Sequence, residues 1–159
     1  MEITGINIIE EDYDNYIIDC DGTLVYTITQ WISNEPIPSA INCSNKLIKN
    51  QKLCLFFTNT STKTRKEYAS KILSYGIAVE NEKVYGSSYV TAHYIKEHHP
   101  EIKEIFPFGM TGVVEEMKDV GITSTTIHNK KADAVVAGMD FTLSYPRIEH
   151  AFGLLEVLY

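Results

Sequence analysis

The chain has 159 residues, with 21 acidic against 14 basic side chains and a formal net charge of −7. That length fits one ordinary domain, or one domain and part of another, and 44% hydrophobic with 22% charged residues excludes a disordered or fibrous chain. The acidic balance argues against non-specific nucleic-acid binding, which rests on Lys and Arg at phosphates; no apolar run approaches the roughly 18 residues of a membrane helix, and segment 1–14 lacks a basic-then-apolar signal pattern, so a soluble, cytoplasmic protein is expected.

In chain order, Tyr16-Ile17-Ile18 predicts a strand leading into Asp19, on its β-branched residues. Residues 27–39 read as polar and irregular, with Pro36 and Pro38 breaking any helix, and 41–50 as a short helix packing Ile41, Leu47 and Ile48. Residues 53–57 are apolar throughout, which predicts a strand buried on both faces of a parallel sheet. That strand stops at Thr58-Asn59-Thr60-Ser61, all turn or cap formers. Residues 63–75 predict a helix with Tyr68, Ala69, Ile72 and Leu73 as its apolar stripe and Gly76 as its stop. A short strand at 83–85 follows. Ser87 or Ser88 then caps a helix carrying Val90 and Ile95 and ended by Pro100. The alternation continues with a strand near 104–108, a helix at 111–120 closed by Gly121, and strands near 123–127 and 134–137. A last helix begins at Ser144 and Pro146, with Ile148, Phe152 and Leu155 on one face. Short apolar strands alternating with helical periods indicate an α/β architecture. Cys20, Cys43 and Cys54 are odd in number and lack a CxxC spacing, so reduced thiols are expected rather than a disulfide framework or zinc site.

The stretch with chemical content is Asp19-Cys20-Asp21-Gly22-Thr23-Leu24. Two carboxylates two residues apart start on the same side of an extended backbone. They sit at the carboxyl end of a strand, where open α/β sheets place ligands. Gly22 lets the chain turn close to a ligand. One carboxylate can attack phosphorus, the other can exchange the leaving-group and water protons, and such an oxygen-rich site suits Mg²⁺. The same aspartates also fit plain turn and cap residues. Thr58, at the end of a second strand, fits a phosphate contact; it also fits a helix cap, and the two roles are not exclusive.

Asp19-Cys20-Asp21-Gly22 together with residues 56–65 resembles motifs one and two of the haloacid dehalogenase superfamily. More narrowly, the chain is similar to its p-nitrophenylphosphatase, phosphoglycolate phosphatase and pyridoxal phosphatase group, with further matching landmarks at 84–89 and 135–140. The resemblance implies a partial Rossmann-like parallel core sheet followed by part of an α/β cap domain, with residues 1–101 as the first part of the core and 102–159 as the first part of the cap. It implies a Mg²⁺-dependent phosphatase acting on a small phosphomonoester. Asp19 would be nucleophile and metal ligand, Asp21 general acid/base and metal ligand through its carbonyl, and Thr58, Asn59 and Thr60 would line the phosphate. A homodimer through the cap is compatible with it.

Departures from the group's pattern are Thr60 in place of Asn, Val25 in place of Trp, Thr142 in place of His, and a longer loop between Val25 and Ile41. Relatives run to roughly twice this length, as two domains, and the second half carries a phosphate-binding Lys and an acidic motif. The 159 residues are therefore expected to be an incomplete enzyme, weak or inactive alone, with an exposed apolar sheet edge. No later residue replaces the missing parts: Glu149, Glu156, Lys130 and Lys131 read as solvated charges. His93, His98, His99, His128 and His150 show no metal spacing. A non-catalytic relative that binds a partner or a phosphorylated ligand is the alternative, and a phospho-receiver domain is a third reading.

Overall fold

The computed structural model describes residues 13–26, 35–127 and 131–158. Most of the expected irregular stretch (27–34), His128 and Lys130 lie outside the described residues. The elements are β1 (Asn15–Asp19), α1 (Pro38–Lys49), β2 (Leu53–Thr58), α2 (Arg65–Ser74), a 3₁₀ turn (Asn81–Lys83), β3 (Val84–Gly86), α3 (Ser87–His98), β4 (Glu104–Phe108), α4 (Thr111–Asp119), β5 (Thr123–Ser124), β6 (Ala134–Ala137) and α5 (Tyr145–Leu158). The α/β class expected from the alternation is what forms. The described residues fall into two compact units, one within Met1–Thr58 and Tyr68–Tyr85, the other within Asn59–Glu67 and Gly86–Tyr159.

In the first unit β2 lies between β1 and β3. β1 and β2 pair in parallel from Asn15↔Leu53 to Asp19↔Phe57. Ile41 and Leu47 of α1 and Tyr68, Ala69 and Ile72 of α2 join Cys54, Phe56, Tyr16 and Ile18 in one core. Both helices therefore cover the same face of the sheet. This corrects the expectation that residues 53–57 are buried on both faces. Cys54, Phe56 and Thr58 are buried, whereas Leu55 and Phe57 are half-buried and Leu53 is exposed. On that open side Phe57 stacks on Tyr85 with ring centroids 4.9 Å apart, and Ile17, in register with Leu55, is 73% exposed.

Local chemistry explains the helix limits. Pro38 starts α1 instead of preventing it, since its missing N–H and fixed φ suit the first helical position. At the head of α2, Glu67 N–H donates to Thr64 Oγ1 at 3.2 Å and Thr64 N–H donates to Glu67 Oε2 at 2.8 Å, a reciprocal capping box. Gly76, at φ +90°, closes it as expected. Within α2, Tyr68, Ala69 and Ile72 are buried but Leu73 is 58% exposed, so the stripe is narrower than the sequence predicts.

In the second unit β4 is central and pairs in parallel with β5 and β6. Successive residues of β4 point to opposite cores. Ile105 packs with Ala92, Ile95, Val113, Met117 and Val136, while Phe106 packs with Ala151 and Leu154. Here helices do cover both faces, which makes β4 apolar without alternation. Several helix faces differ from expectation. Val90 of α3 is 46% exposed, and on α5 Ile148, Phe152 and Leu155 are 46%, 62% and 41% exposed while Ala151 and Leu154 are buried. β5 is only two residues long, shorter than the strand predicted at 123–127. No helix among the described residues is long and apolar enough to cross a membrane.

Candidate active site

Asp19 is the last residue of β1. The sheet continues one residue further, because Cys20 N–H donates to Phe57 O at 3.1 Å. Strand alternation turns the Cys20 side chain inward, where it is 2% exposed, and leaves Asp19 and Asp21 exposed. Gly22 then adopts φ +90°, a left-handed conformation that glycine enters without a steric cost. The turn is closed by Gly22 N–H donating to Val25 O at 3.0 Å and Leu24 N–H to Cys20 O at 2.8 Å. Buried Leu24 and Val25 anchor it. Beyond them, Val25 bridges Pro36, so the two ends of the long loop are tied together next to the motif. The sequence DxDGTL thus fixes two carboxylates at the carboxyl end of a parallel strand.

Asp21 is the more firmly held of the two. Its Oδ2 accepts a hydrogen bond from Thr58 Oγ1 at 2.9 Å and one from Tyr68 Oη at 2.8 Å. Lys71 Nζ lies 3.7 Å from Oδ1 and sits over the ring of Tyr68 at 5.0 Å. Asp19 Oδ2 receives a long contact of 3.5 Å from Thr23 Oγ1. Burial, helped by the charges of Asp21 and Asp19, pushes the Cys20 thiol up to about 12. It is therefore a core thiol and not a nucleophile at neutral pH. Burial also pushes the Tyr68 phenol well above its ordinary range, so it stays a neutral hydroxyl donor.

Of the sequence-predicted residues, the structure brings Asp21 and Thr58 into direct contact at the ends of neighbouring strands, with Asp19 two residues before Asp21. Thr58 serves the carboxylate through its hydroxyl, rather than capping α2, where Thr64 takes that part. Asn59 and Thr60 follow Thr58 in the chain but belong to the second unit. There, Ser87 Oγ donates to Asn59 O at 3.0 Å, Ser87 N–H to Thr60 O at 3.3 Å, and Ser88 Oγ to Ser61 O at 2.8 Å. The two serines expected to cap α3 instead hold the backbone of the segment after β2, and Gly86 occupies the cap position. Tyr68 and Lys71 were not among the expected site residues. The signal that could have found them is a buried tyrosine, whose hydroxyl needs a partner, with a lysine one turn further along the same helix.

Segment 59–67 is clamped within its unit from several sides. Met139 N–H donates to Ser61 Oγ at 2.7 Å. Arg65 N–H, at the start of α2, donates to the buried carboxylate of Glu116 on α4, and the Arg65 guanidinium lies 4.1 Å over the Tyr89 ring. Burial raises the Glu116 carboxyl above its usual range, although the Arg65 N–H opposes this. A cavity of about 360 Å³ opens in this unit, lined by Asn59, Ser61, Ser88, Thr91 and Met139 among others. Further along, Asp140 accepts from Arg147 Nη2 at 2.9 Å and from Thr142 Oγ1 at 2.6 Å. Thr142 is thus committed to an internal turn. His98 and His99 are exposed at the end of α3.

Comparison with known proteins gives this geometry a context. A family model described as haloacid dehalogenase-like hydrolase matches residues 16–123. A 4-nitrophenylphosphatase of Schizosaccharomyces pombe is 30% identical, over 92% of this chain and 54% of that protein. Phosphoglycolate phosphatase 2 of Arabidopsis thaliana is 28% identical, over 88% of this chain and 51% of that protein. The structure of a p-nitrophenyl phosphatase from Archaeoglobus fulgidus superposes with a TM-score of 0.80 at 25% identity, covering 92% of this chain and 53% of that one. The chain spans about half the length of the curated relatives it matches.

Proposed function

The chain belongs to the haloacid dehalogenase-like hydrolase family, and on that footing we propose that it is part of a Mg²⁺-dependent phosphatase that hydrolyses a small phosphomonoester through an aspartyl-phosphate. The observation that carries this reading is the pairing of Asp19 and Asp21 at the carboxyl end of β1, with the Thr58 hydroxyl of the adjacent parallel strand bonded to Asp21. Parallel α/β sheets bind ligands at that edge.

In this mechanism a carboxylate oxygen of Asp19 attacks phosphorus, and the bond from phosphorus to the leaving oxygen breaks. Asp21 gives its proton to that oxygen. Water then attacks the phosphorus of the aspartyl-phosphate, Asp21 takes the water's proton, and phosphate leaves with Asp19 restored. Thr58, Asn59 and Thr60 are assigned to the phosphate oxygens. Their hydroxyl and amide donors suit the charge spread over those oxygens in the transition state.

The donor chemistry present fits Mg²⁺. Among the described residues no three His, Cys, Asp or Glu side chains gather into a metal cluster. The exposed carboxylate of Asp19 and the carbonyl of Asp21 offer hard oxygen ligands, and Mg²⁺ typically takes one or two carboxylates and keeps water and phosphate oxygens for the rest. When bound, the ion supplies neutralisation of charge between the Asp19 anion and the phosphate.

The same reading places residues 1–101 in the hydrolase core and 102–159 in the cap, with a cytoplasmic location and a homodimer through the cap, which mass measurement in solution checks. The decisive experiment is p-nitrophenyl phosphate hydrolysis by the protein with and without Mg²⁺, alongside Asp19→Asn. Turnover is expected to be weak, because the chain spans about half the length of its relatives, and what there is should need Mg²⁺ and be lost in the variant. Turnover that survives the substitution, or that needs no divalent ion, refutes the mechanism.

A further inference from the structure

The geometry points to Tyr68 and Lys71 as positioning residues that clasp the Asp21 carboxylate in a single rotamer. The catalytic meaning of the clasp rests on the phosphatase reading above; the clasp itself rests on contacts alone. Asp21 lies just beyond the end of β1, before the Gly22 turn, and is exposed, where a carboxylate would ordinarily sample several rotamers. Here Oδ2 receives two hydroxyl donors, Thr58 Oγ1 at 2.9 Å and Tyr68 Oη at 2.8 Å. These occupy both lone pairs of that oxygen.

The donors are themselves rigid. Tyr68 is 3% exposed and Thr58 5% exposed, and Tyr68 is packed in the core among Cys20, Phe56 and Ile72. Its hydroxyl cannot swing away without moving α2. Lys71, one turn on, is drawn over the Tyr68 ring and faces the other carboxylate oxygen at 3.7 Å. The two oxygens are thereby distinguished. Oδ2 is the anchored one, and proton exchange with the leaving group and with water runs through Oδ1, on the lysine side. Fixing an acid/base group in one orientation spares the reaction the entropy of finding it. The bland alternative is that Asp21 merely satisfies a buried tyrosine hydroxyl. That alternative leaves turnover indifferent to the contact.

Selective ¹³C labelling of aspartate reads the Asp21 χ1 rotamer through three-bond couplings to the carboxyl carbon. Wild-type couplings are expected to report one rotamer, Tyr68→Phe and Lys71→Gln averaged ones, and the exposed control Tyr94→Phe the wild-type value. Unchanged Asp21 couplings in Tyr68→Phe, which keeps the ring and its packing, overturn the clasp. With p-nitrophenyl phosphate and Mg²⁺, Tyr68→Phe is expected to lower kcat on the order of tenfold while KM stays within about twofold. An unchanged kcat in a variant whose rotamer is lost overturns the positioning role. Turnover that needs no divalent ion, or that survives Asp19→Asn, overturns the phosphatase reading instead; without turnover, as a chain about half the length of its relatives allows, the couplings alone decide the clasp.

Discussion

Gly112→Ala sets local propensity against tertiary packing. Gly112 is the second residue of α4, and in a helix Ala is favoured over Gly by up to about 1 kcal/mol. A Cβ at this position would lie 2.6 Å from Lys63 N and 2.7 Å from Lys63 C and O. All three neighbours are backbone atoms, so no side-chain rotation relieves the clash. Reaching an ordinary contact of 3.4 Å requires α4 and segment 59–67 to part. Overpacking costs about 1–3 kcal/mol, and three backbone contacts put this site in the upper part of that range, about 2–3 kcal/mol, so after the propensity gain the net effect is destabilisation of about 1–2 kcal/mol. In thermal unfolding followed by far-UV circular dichroism, Tm should fall by roughly 2–8 °C for a chain of this size. Hydrogen exchange should show lost protection at 59–67, the segment that carries Asn59 and Thr60. Gly153, inside α5, is the internal control: nothing lies within 4 Å of its added Cβ. There, Ala should raise Tm by about 2–4 °C. A Gly112→Ala protein as stable as wild type, or more so, would refute the clamp on this segment.

Three further outcomes are expected. Thr58→Val keeps the shape of a buried side chain but removes its bond to Asp21; it should cost about 1–2 kcal/mol in urea unfolding, and an unchanged midpoint would show that the bond contributes nothing. With iodoacetamide at mildly alkaline pH, half-buried Cys43 should be alkylated before buried Cys20, because burial and two neighbouring carboxylates hold the Cys20 thiol near 12; peptide mapping that finds Cys20 modified first contradicts this. For Asp140, burial acts to raise the carboxyl, but Thr142 and Arg147 prevail and hold it below its ordinary 3.8. A lowered folded value means stabilisation present above the unfolded value and lost as pH falls through the folded one. Below about pH 4, wild type should therefore lose stability that Asp140→Asn does not lose; identical acid-unfolding curves would refute the assignment.

Much of the site's chemistry is legible along the chain. DxDGTL specifies a strand end, a left-handed glycine and two outward carboxylates, and 53–61 specifies a strand that ends in hydroxyl and amide groups. Each of these depends on residues a few positions apart, where alternation and turn chemistry act. The helix limits at Gly76 and Gly121 belong to the same class. Pro38 is ambiguous in the sequence, because a proline that breaks a helix interior also suits the first position of a helix, where it stands here.

What the chain alone did not determine is which neighbour each face meets. Apolar periodicity marks Tyr68, Ile72 and Leu73 alike, yet only the fold sends Leu73 to solvent and the Tyr68 hydroxyl to a carboxylate 47 positions earlier in the sequence. It marks Ile148, Phe152 and Leu155 as one stripe, yet α5 packs through Ala151 and Leu154. It reads Ser87 and Ser88 as caps, yet their hydroxyls go to the carbonyls of Asn59 and Ser61. The two carboxylates, their strand and the turn behind them follow from residues a few positions apart, because those features are local. What holds Asp21, and which side of the first sheet stays open, follow from long-range packing, because burial and hydrogen-bond satisfaction are settled by elements far apart in the chain.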